Sequence, residues 1–255
     1  MKKKFAVCFS GYPRFVKRQF ENIKTNFLDG LGNDYDIFAM FQWPEDWQNT
    51  LMHASHDDKF ETNEVEDFKE VYEPLNLKKI VTIPPYDFSH IEFKGGNAEP
   101  HLNGISDEIL RDLFYRQKCQ FQGIEDCIQL IDNPLDYEFV VRMRTDLIFL
   151  SEIVMKDLES EVILNQDGFI AGGDRPASDW FFITPTNKLE FFTKLSKIEE
   201  HFKDGVVGHH RIIAQLGEKY GIEYHEFNIR TPTATGGEST LYKKPTDSYN
   251  IIKKF

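Results

Sequence analysis

The chain has 255 residues and carries 42 Asp and Glu against 30 Lys and Arg, which gives a formal net charge of −12. That balance disfavours a nonspecific nucleic-acid binder, which needs a basic face, and no run approaches the roughly 18 consecutive apolar residues of a membrane span. With 40% hydrophobic residues, the composition predicts one folded domain over residues 1–255 with a sizeable core.

The first predicted unit is a strand, a loop and a helix. Residues 5–9 form a short apolar run, typical of a strand buried on both faces, and apolar residues recur at helical spacing over 15–28. The connecting loop combines a glycine, a cation and a helix N-terminus that favours anions: Ser10-Gly11-Tyr12-Pro13-Arg14. The loop either binds a phosphate or is an ordinary turn between a strand and a helix. Tyr12 either stacks on a nucleotide base or covers the edge of the core.

Charge is unevenly distributed over the first third of the chain. Residues 1–18 contain six basic residues and no acidic one, whereas residues 45–73 contain ten acidic residues and two lysines. We interpret the acidic block as a surface excursion followed by a helix over 65–72. It is expected to lie apart from the basic loop, which would suit a diphosphate.

Strands and helices continue to alternate. Strands are predicted at 35–41 and 79–83, and a long polar loop, of the kind that is often functional, covers 86–105. Ser106 can cap a long helix that ends near Asn133 and Pro134. Beyond the strand at 139–149, a helix at 154–158, strands at 169–173 and 180–183, and helices at 189–202 and 208–220 are predicted. A flexible tail starts at about 231. This order predicts an α/β fold with a mixed, mostly parallel sheet flanked by helices.

The strand at 139–149 carries charges within an apolar sequence. Its period of two places Arg142, Arg144 and Asp146 on one face. Because buried charges need partners, these three either form an internal ion network or lie where the strand end opens into a ligand cleft.

This stretch, Tyr137-x-Phe139-Val140-Val141-Arg142-Met143-Arg144-Thr145-Asp146-Leu147, resembles the strand and acidic turn of GT-A glycosyltransferases. The opening Val7-Cys8-Phe9-Ser10-Gly11-Tyr12-Pro13-Arg14 resembles the first strand and nucleotide-binding loop of the same families. The resemblance implies a GT-A-like, Rossmann-like fold and a nucleotide-sugar donor bound by the cluster Ser10, Gly11, Tyr12, Arg14, Arg142 and Arg144.

The resemblance also implies a metal site. Asp146 stands where the last carboxylate of the DxD motif binds a divalent ion, and a hard oxygen ligand suits Mn²⁺ or Mg²⁺. Arg144 replaces the first carboxylate of that motif. The alternative is therefore that Arg144 neutralises the diphosphate directly, since guanidinium binds phosphate bidentately.

In the resembling families an acid before an aromatic strand lies near the acceptor. Asp179, which precedes Trp180, is accordingly the predicted general base for the acceptor hydroxyl, and a turn aspartate is the alternative. His209 and His210 at a predicted helix start are candidate auxiliary or acceptor-side residues, although a helical histidine is more often structural.

The preferred function is transfer of a sugar from a nucleotide donor to a glycan or lipid-linked acceptor, as in polysaccharide biosynthesis. The alternatives are a nucleotidyltransferase and a domain that binds a nucleotide or glycan without turnover. The three scattered cysteines favour reduced thiols and a cytoplasmic location.

Overall fold

A computed structural model describes residues 3–50, 59–93, 106–149, 162–166, 181–197, 212–213, 219, 223–227 and 229–230. Its main sheet contains, in spatial order, β3 (Leu77–Ile83), β2 (Tyr35–Gln42), β1 (Lys3–Gly11), β4 (Tyr137–Met143) and β7 (Phe181–Pro185). β1 is parallel to both of its neighbours, β2 is parallel to β3, and β7 is antiparallel to β4. The predicted mixed, mostly parallel sheet is confirmed.

Alternation along the strands divides the core into two layers. In β1, Phe5, Val7 and Phe9 pack on one face, and Ala6 and Cys8 on the other. The first face is covered by α1 (Val16–Ile23) and α2 (Glu64–Tyr72), and the second by α3 (Asp107–Ile128). Since β1 is buried on both faces, its unbroken apolar run correctly predicts a central strand.

Short elements complete the described chain. Single turns of 3₁₀ helix lie at Asp29–Leu31, Trp47–Asn49, Glu73–Leu75 and Pro134–Asp136, and a π turn at Lys24–Leu28 extends α1. β5 (Ile148–Phe149) pairs with β9 (Ile229–Arg230), and β6 (Val162–Gln166) with β8 (Glu223–Phe227).

Two sequence predictions about helices have clear outcomes. Ser106 caps α3 by accepting a hydrogen bond from the Ile109 amide, as predicted. The helix predicted from residue 189 is of the 3₁₀ type where it is described, and it spans Thr186–Lys194. Apolar residues spaced by three to four positions suit either helix type, so spacing could not distinguish them.

Within the described parts of the chain, no helix combines the length and apolar character needed to cross a bilayer.

Candidate anion-binding site

The order of the strands changes direction beside β1. From β1 the chain passes through α1 to β2 and through α2 to β3, and it then returns through α3 to β4 on the other side of β1. The helices α1 and α2 pack on one face of the sheet and α3, which precedes β4, packs on the other, so the strand order reverses between β1 and β4. In open α/β sheets, ligands bind at such a switch point, beyond the carboxyl ends of the strands.

The loops after β1 and β4 are joined by a pair of hydrogen bonds. The Arg14 amide donates to Thr145 Oγ1 over 2.8 Å, and the same hydroxyl donates to the Arg14 carbonyl over 3.0 Å. Residues that are 131 positions apart in the sequence are thereby held side by side at the switch point. Tyr12 lies in the same loop close to Arg14, and partial burial raises the pKa of its hydroxyl.

A carboxylate between two guanidinium groups forms the centre of the site. Arg144 Nε donates to Asp146 Oδ1 over 2.8 Å and its terminal nitrogen binds Oδ2, while an Arg14 nitrogen lies 3.1 Å from Oδ2. We call Arg14, Asp146 and Arg144 the ion triad. Burial alone would raise the pKa of Asp146, but the neighbouring arginines outweigh it and hold that pKa below its ordinary value. Asp146 is therefore ionised at neutral pH.

The predicted strand from 139 to 149 is wrong in length. β4 ends at Met143, and Arg144, Thr145 and Asp146 lie in the turn that follows. The period of two thus places Arg142 correctly but does not apply to Arg144 or Asp146. The turn lets the Arg144 fork reach the carboxylate two residues ahead, which an extended strand would hold farther away.

Arg142 is buried and bonds to the first residue of the loop. Its side chain is 1% exposed, its Nε donates to Ser10 Oγ over 2.9 Å, and a terminal nitrogen lies 3.4 Å from the Ser10 carbonyl. Two residues that the sequence nominates as donor ligands therefore contact each other. The structure brings them together in the interior, where both residues are buried.

Sequence reasoning missed Glu64. Its carboxylate, at the start of α2, accepts hydrogen bonds from the Phe15 amide over 3.1 Å and from the Val16 amide over 2.8 Å. Burial raises its pKa, although both amides oppose that shift. The N-terminus of α1, predicted to favour an anion, thus receives one from the protein itself. No motif marks Glu64 among the acids of its block.

The expected separation of a basic loop from an acidic block is wrong. Lys3 and Lys4 lie at the amino end of β1, seven and six residues before Ser10, or roughly 20 Å at about 3.3 Å per residue. Lys17 pairs with Asp67 at 2.9 Å and Glu70 at 2.7 Å, and these carboxylates raise its pKa. The acidic helix α2 packs directly against α1 because charge attraction and a shared apolar face both favour that contact.

The surroundings of Asp146 do not fit a divalent metal ion. Both carboxylate oxygens accept hydrogen bonds from guanidinium groups, and two adjacent cations would repel Mn²⁺ or Mg²⁺. Among the described residues there is no cluster of three or more His, Cys, Asp or Glu side chains that could hold an ion. A divalent cation at Asp146 would first have to displace the arginines, at the cost of their ion pairs.

Asp179, His209 and His210 lie outside the described residues, so their roles stay predictions. The same holds for the segments predicted at 154–158 and 169–173 and for the tail from 231.

No family model matches the chain, and no curated protein matches its sequence. The solved structures to which the chain is similar include two glycosyltransferases. The apo form of GlyE from Streptococcus pneumoniae TIGR4 aligns at 12% identity, with a TM-score of 0.41, over 86% of this chain and 44% of that chain. The galactosyltransferase LgtC, in complex with donor and acceptor sugar analogs, aligns at 12% identity, with a TM-score of 0.40, over 83% of this chain and 69% of that chain.

These likenesses concern the fold alone. This chain spans less than half the length of GlyE.

Gly11 provides the sharp exit from β1, and its replacement has a predictable cost. Its φ of +106° is one that side-chain-bearing residues rarely adopt, while a Cβ added there would meet no atom within 4 Å. Gly11→Ala should therefore lower the free energy of unfolding by about 1–2 kcal/mol through backbone strain alone, measured by urea denaturation. The control is Gly123→Ala in helical α3, where Ala is favoured by about 1 kcal/mol. Equal effects at the two positions would contradict the assignment.

Proposed function

We propose that the chain is a glycosyltransferase that binds the diphosphate of a nucleotide-sugar donor with arginines at the switch point. The observation that carries the proposal is the ion triad beside the carboxyl ends of β1 and β4. The buried carboxylate of Asp146 is 5% exposed, whereas the arginine side chains are 14% and 17% exposed. The part of the triad that reaches solvent is therefore cationic, which suits an anionic ligand.

In this scheme the arginines stabilise the leaving group. As the bond between the sugar's anomeric carbon and the diphosphate oxygen breaks, negative charge grows on the diphosphate, and Arg14 and Arg144 are positioned to neutralise it. Asp146 keeps both guanidinium groups oriented before the donor binds. No step of the scheme requires a metal ion at Asp146.

The acceptor step is assigned to Asp179 from the sequence resemblance. Its carboxylate would take the proton of an acceptor hydroxyl while that oxygen forms the new bond to the anomeric carbon. A glycan or lipid-linked sugar is the proposed acceptor class.

A screen of nucleotide sugars tests the proposal. Purified protein should be stabilised against heating by a nucleoside diphosphate and should hydrolyse or transfer one nucleotide sugar. We expect the stabilisation to persist in EDTA, because arginines rather than a metal ion hold the diphosphate. If binding appears only when Mn²⁺ is added, the arginine scheme is wrong. If no nucleotide binds under either condition, the glycosyltransferase proposal fails.

A second candidate is a domain that binds a nucleotide or glycan without turnover. It is favoured by one observation, namely that Asp146, the metal position implied by the resemblance, is already engaged by two arginines. Binding without release of nucleoside diphosphate would support this candidate.

Under the transferase proposal, Asp179→Asn should retain donor binding and lose transfer.

A further inference from the structure

The backbone of Arg14 is fixed at every polar atom. Its amide and its carbonyl both bond to the Thr145 hydroxyl, at 2.8 and 3.0 Å. The next amide along the chain, that of Phe15, donates to Glu64 over 3.1 Å. The planar peptide group that joins Arg14 to Phe15 is therefore held on its carbonyl side by one loop and on its N–H side by α2.

Phe15 shows that this clamp overrides local preference. Its φ of 54° and ψ of 31° are left-handed, an uncommon conformation for a residue with a side chain. The N-cap residue of α1 makes no side-chain hydrogen bond to the helix, and no acidic residue lies in the first turn of α1. Glu64 provides both the capping oxygens and the negative charge from another helix, so it holds in place a backbone turn that is unfavourable on its own.

α2 is secured against α1 by a second charged contact. Lys17, one residue after Val16, bridges Asp67 and Glu70, which lie three and six positions beyond Glu64 on α2. Asn63 caps α2 through the amides of Val65 and Glu66. The Glu64 carboxylate is thus presented from a well-anchored helix end, with its residue only 7% exposed.

From these contacts we infer that Glu64 is a positioning residue for the anion site. By fixing the peptide group after Arg14, it sets the direction of the Arg14 side chain and keeps that guanidinium 3.1 Å from Asp146. The inference rests on the proposed function insofar as the bound anion is a diphosphate. Glu64 itself contacts main-chain amides of the loop and is not assigned any contact with the ligand.

The test compares Glu64→Gln with Glu66→Gln, an exposed glutamate of the same helix that pairs with Lys69. Inorganic pyrophosphate is the probe, and calorimetric titration gives its Kd. Glu64→Gln should raise that Kd about tenfold, because a small displacement of a charged group weakens its contacts, while Glu66→Gln should not change it. In an Arg14→Ala background, Glu64→Gln should change the Kd by less than about twofold, since the residue that it positions is gone.

Hydrogen exchange of the Arg14 amide gives a readout that needs no ligand. That amide bonds to Thr145 and not to Glu64, so faster exchange in Glu64→Gln reports movement of the loop itself. Unchanged exchange, or equal losses of affinity with and without Arg14, would overturn the inference. If the unmodified protein binds no pyrophosphate, the proposed function fails, and the exchange rate alone decides the role of Glu64. Should Glu64→Gln not fold, Glu64→Asp provides the same comparisons, because it keeps the charge but moves the carboxylate back by one methylene.

Discussion

Asp146→Asn should lower the free energy of unfolding by about 3 kcal/mol, as measured by urea denaturation at neutral pH. The substitution keeps the size of the side chain but leaves two guanidinium groups beside a neutral amide, and breaking a buried ion pair from one side costs about 3–5 kcal/mol. We expect the lower end of that range because the Arg14 and Arg144 side chains keep 14% and 17% exposure.

The pH dependence of this loss gives an independent check. Because the native pKa of Asp146 is lowered, the stability from its carboxylate is present above the unfolded pKa of about 4 and is lost as pH falls through the native pKa. The difference between the two proteins should therefore shrink below about pH 4. Asp132→Asn is the control, since that side chain is 93% exposed and lies 3.6 Å from Lys79; it should change stability by less than about 0.5 kcal/mol. A loss for Asp146→Asn no larger than that control would mean that the triad is not a stabilising unit.

Under the proposed function, Arg14→Ala should reduce kcat/KM for the donor about 100-fold, the size of effect seen when one group that stabilises transition-state charge is removed. Arg14 lies in the loop that follows β1. When its side chain is removed, Arg144 remains as a partner of Asp146. The buried carboxylate stays paired, so the fold should survive better than in Asp146→Asn.

The control for this prediction is Arg116→Ala on α3, whose side chain is 53% exposed and pairs with Asp112 one turn away. It removes the same charge from a surface position and should leave kcat/KM unchanged. An Arg14→Ala enzyme within threefold of the unmodified protein would show that Arg14 does not act on the reacting diphosphate.

The sequence predicts the layers of the fold better than the details of the site. β1, β2 and α3 follow directly from apolar periodicity, because each buries a continuous face or both faces in the core. The end of β4 was missed because charge pairing, which acts across a turn, overrides the period of two after Met143.

Within the site, the sequence offers an ion network of Arg142, Arg144 and Asp146 as one alternative, and the structure shows such a network with Arg14 in the place of Arg142. Glu64 could not be found, since its partners are main-chain amides 48 and 49 residues away that carry no side-chain signature. The lysines at the start of β1 are close to the loop in the sequence but far from it in space, because an extended strand separates them. Their charge therefore does not make the loop basic.

The joining of the loops by Thr145 and Arg14 also bears on folding. The anion site is built from segments near residues 14, 64 and 145, so it exists only after the parallel pairing of β1 with β4 has closed a loop of more than a hundred residues. Such long closures are entropically costly and slow. An anion bound at the triad would therefore stabilise the native sheet as a whole.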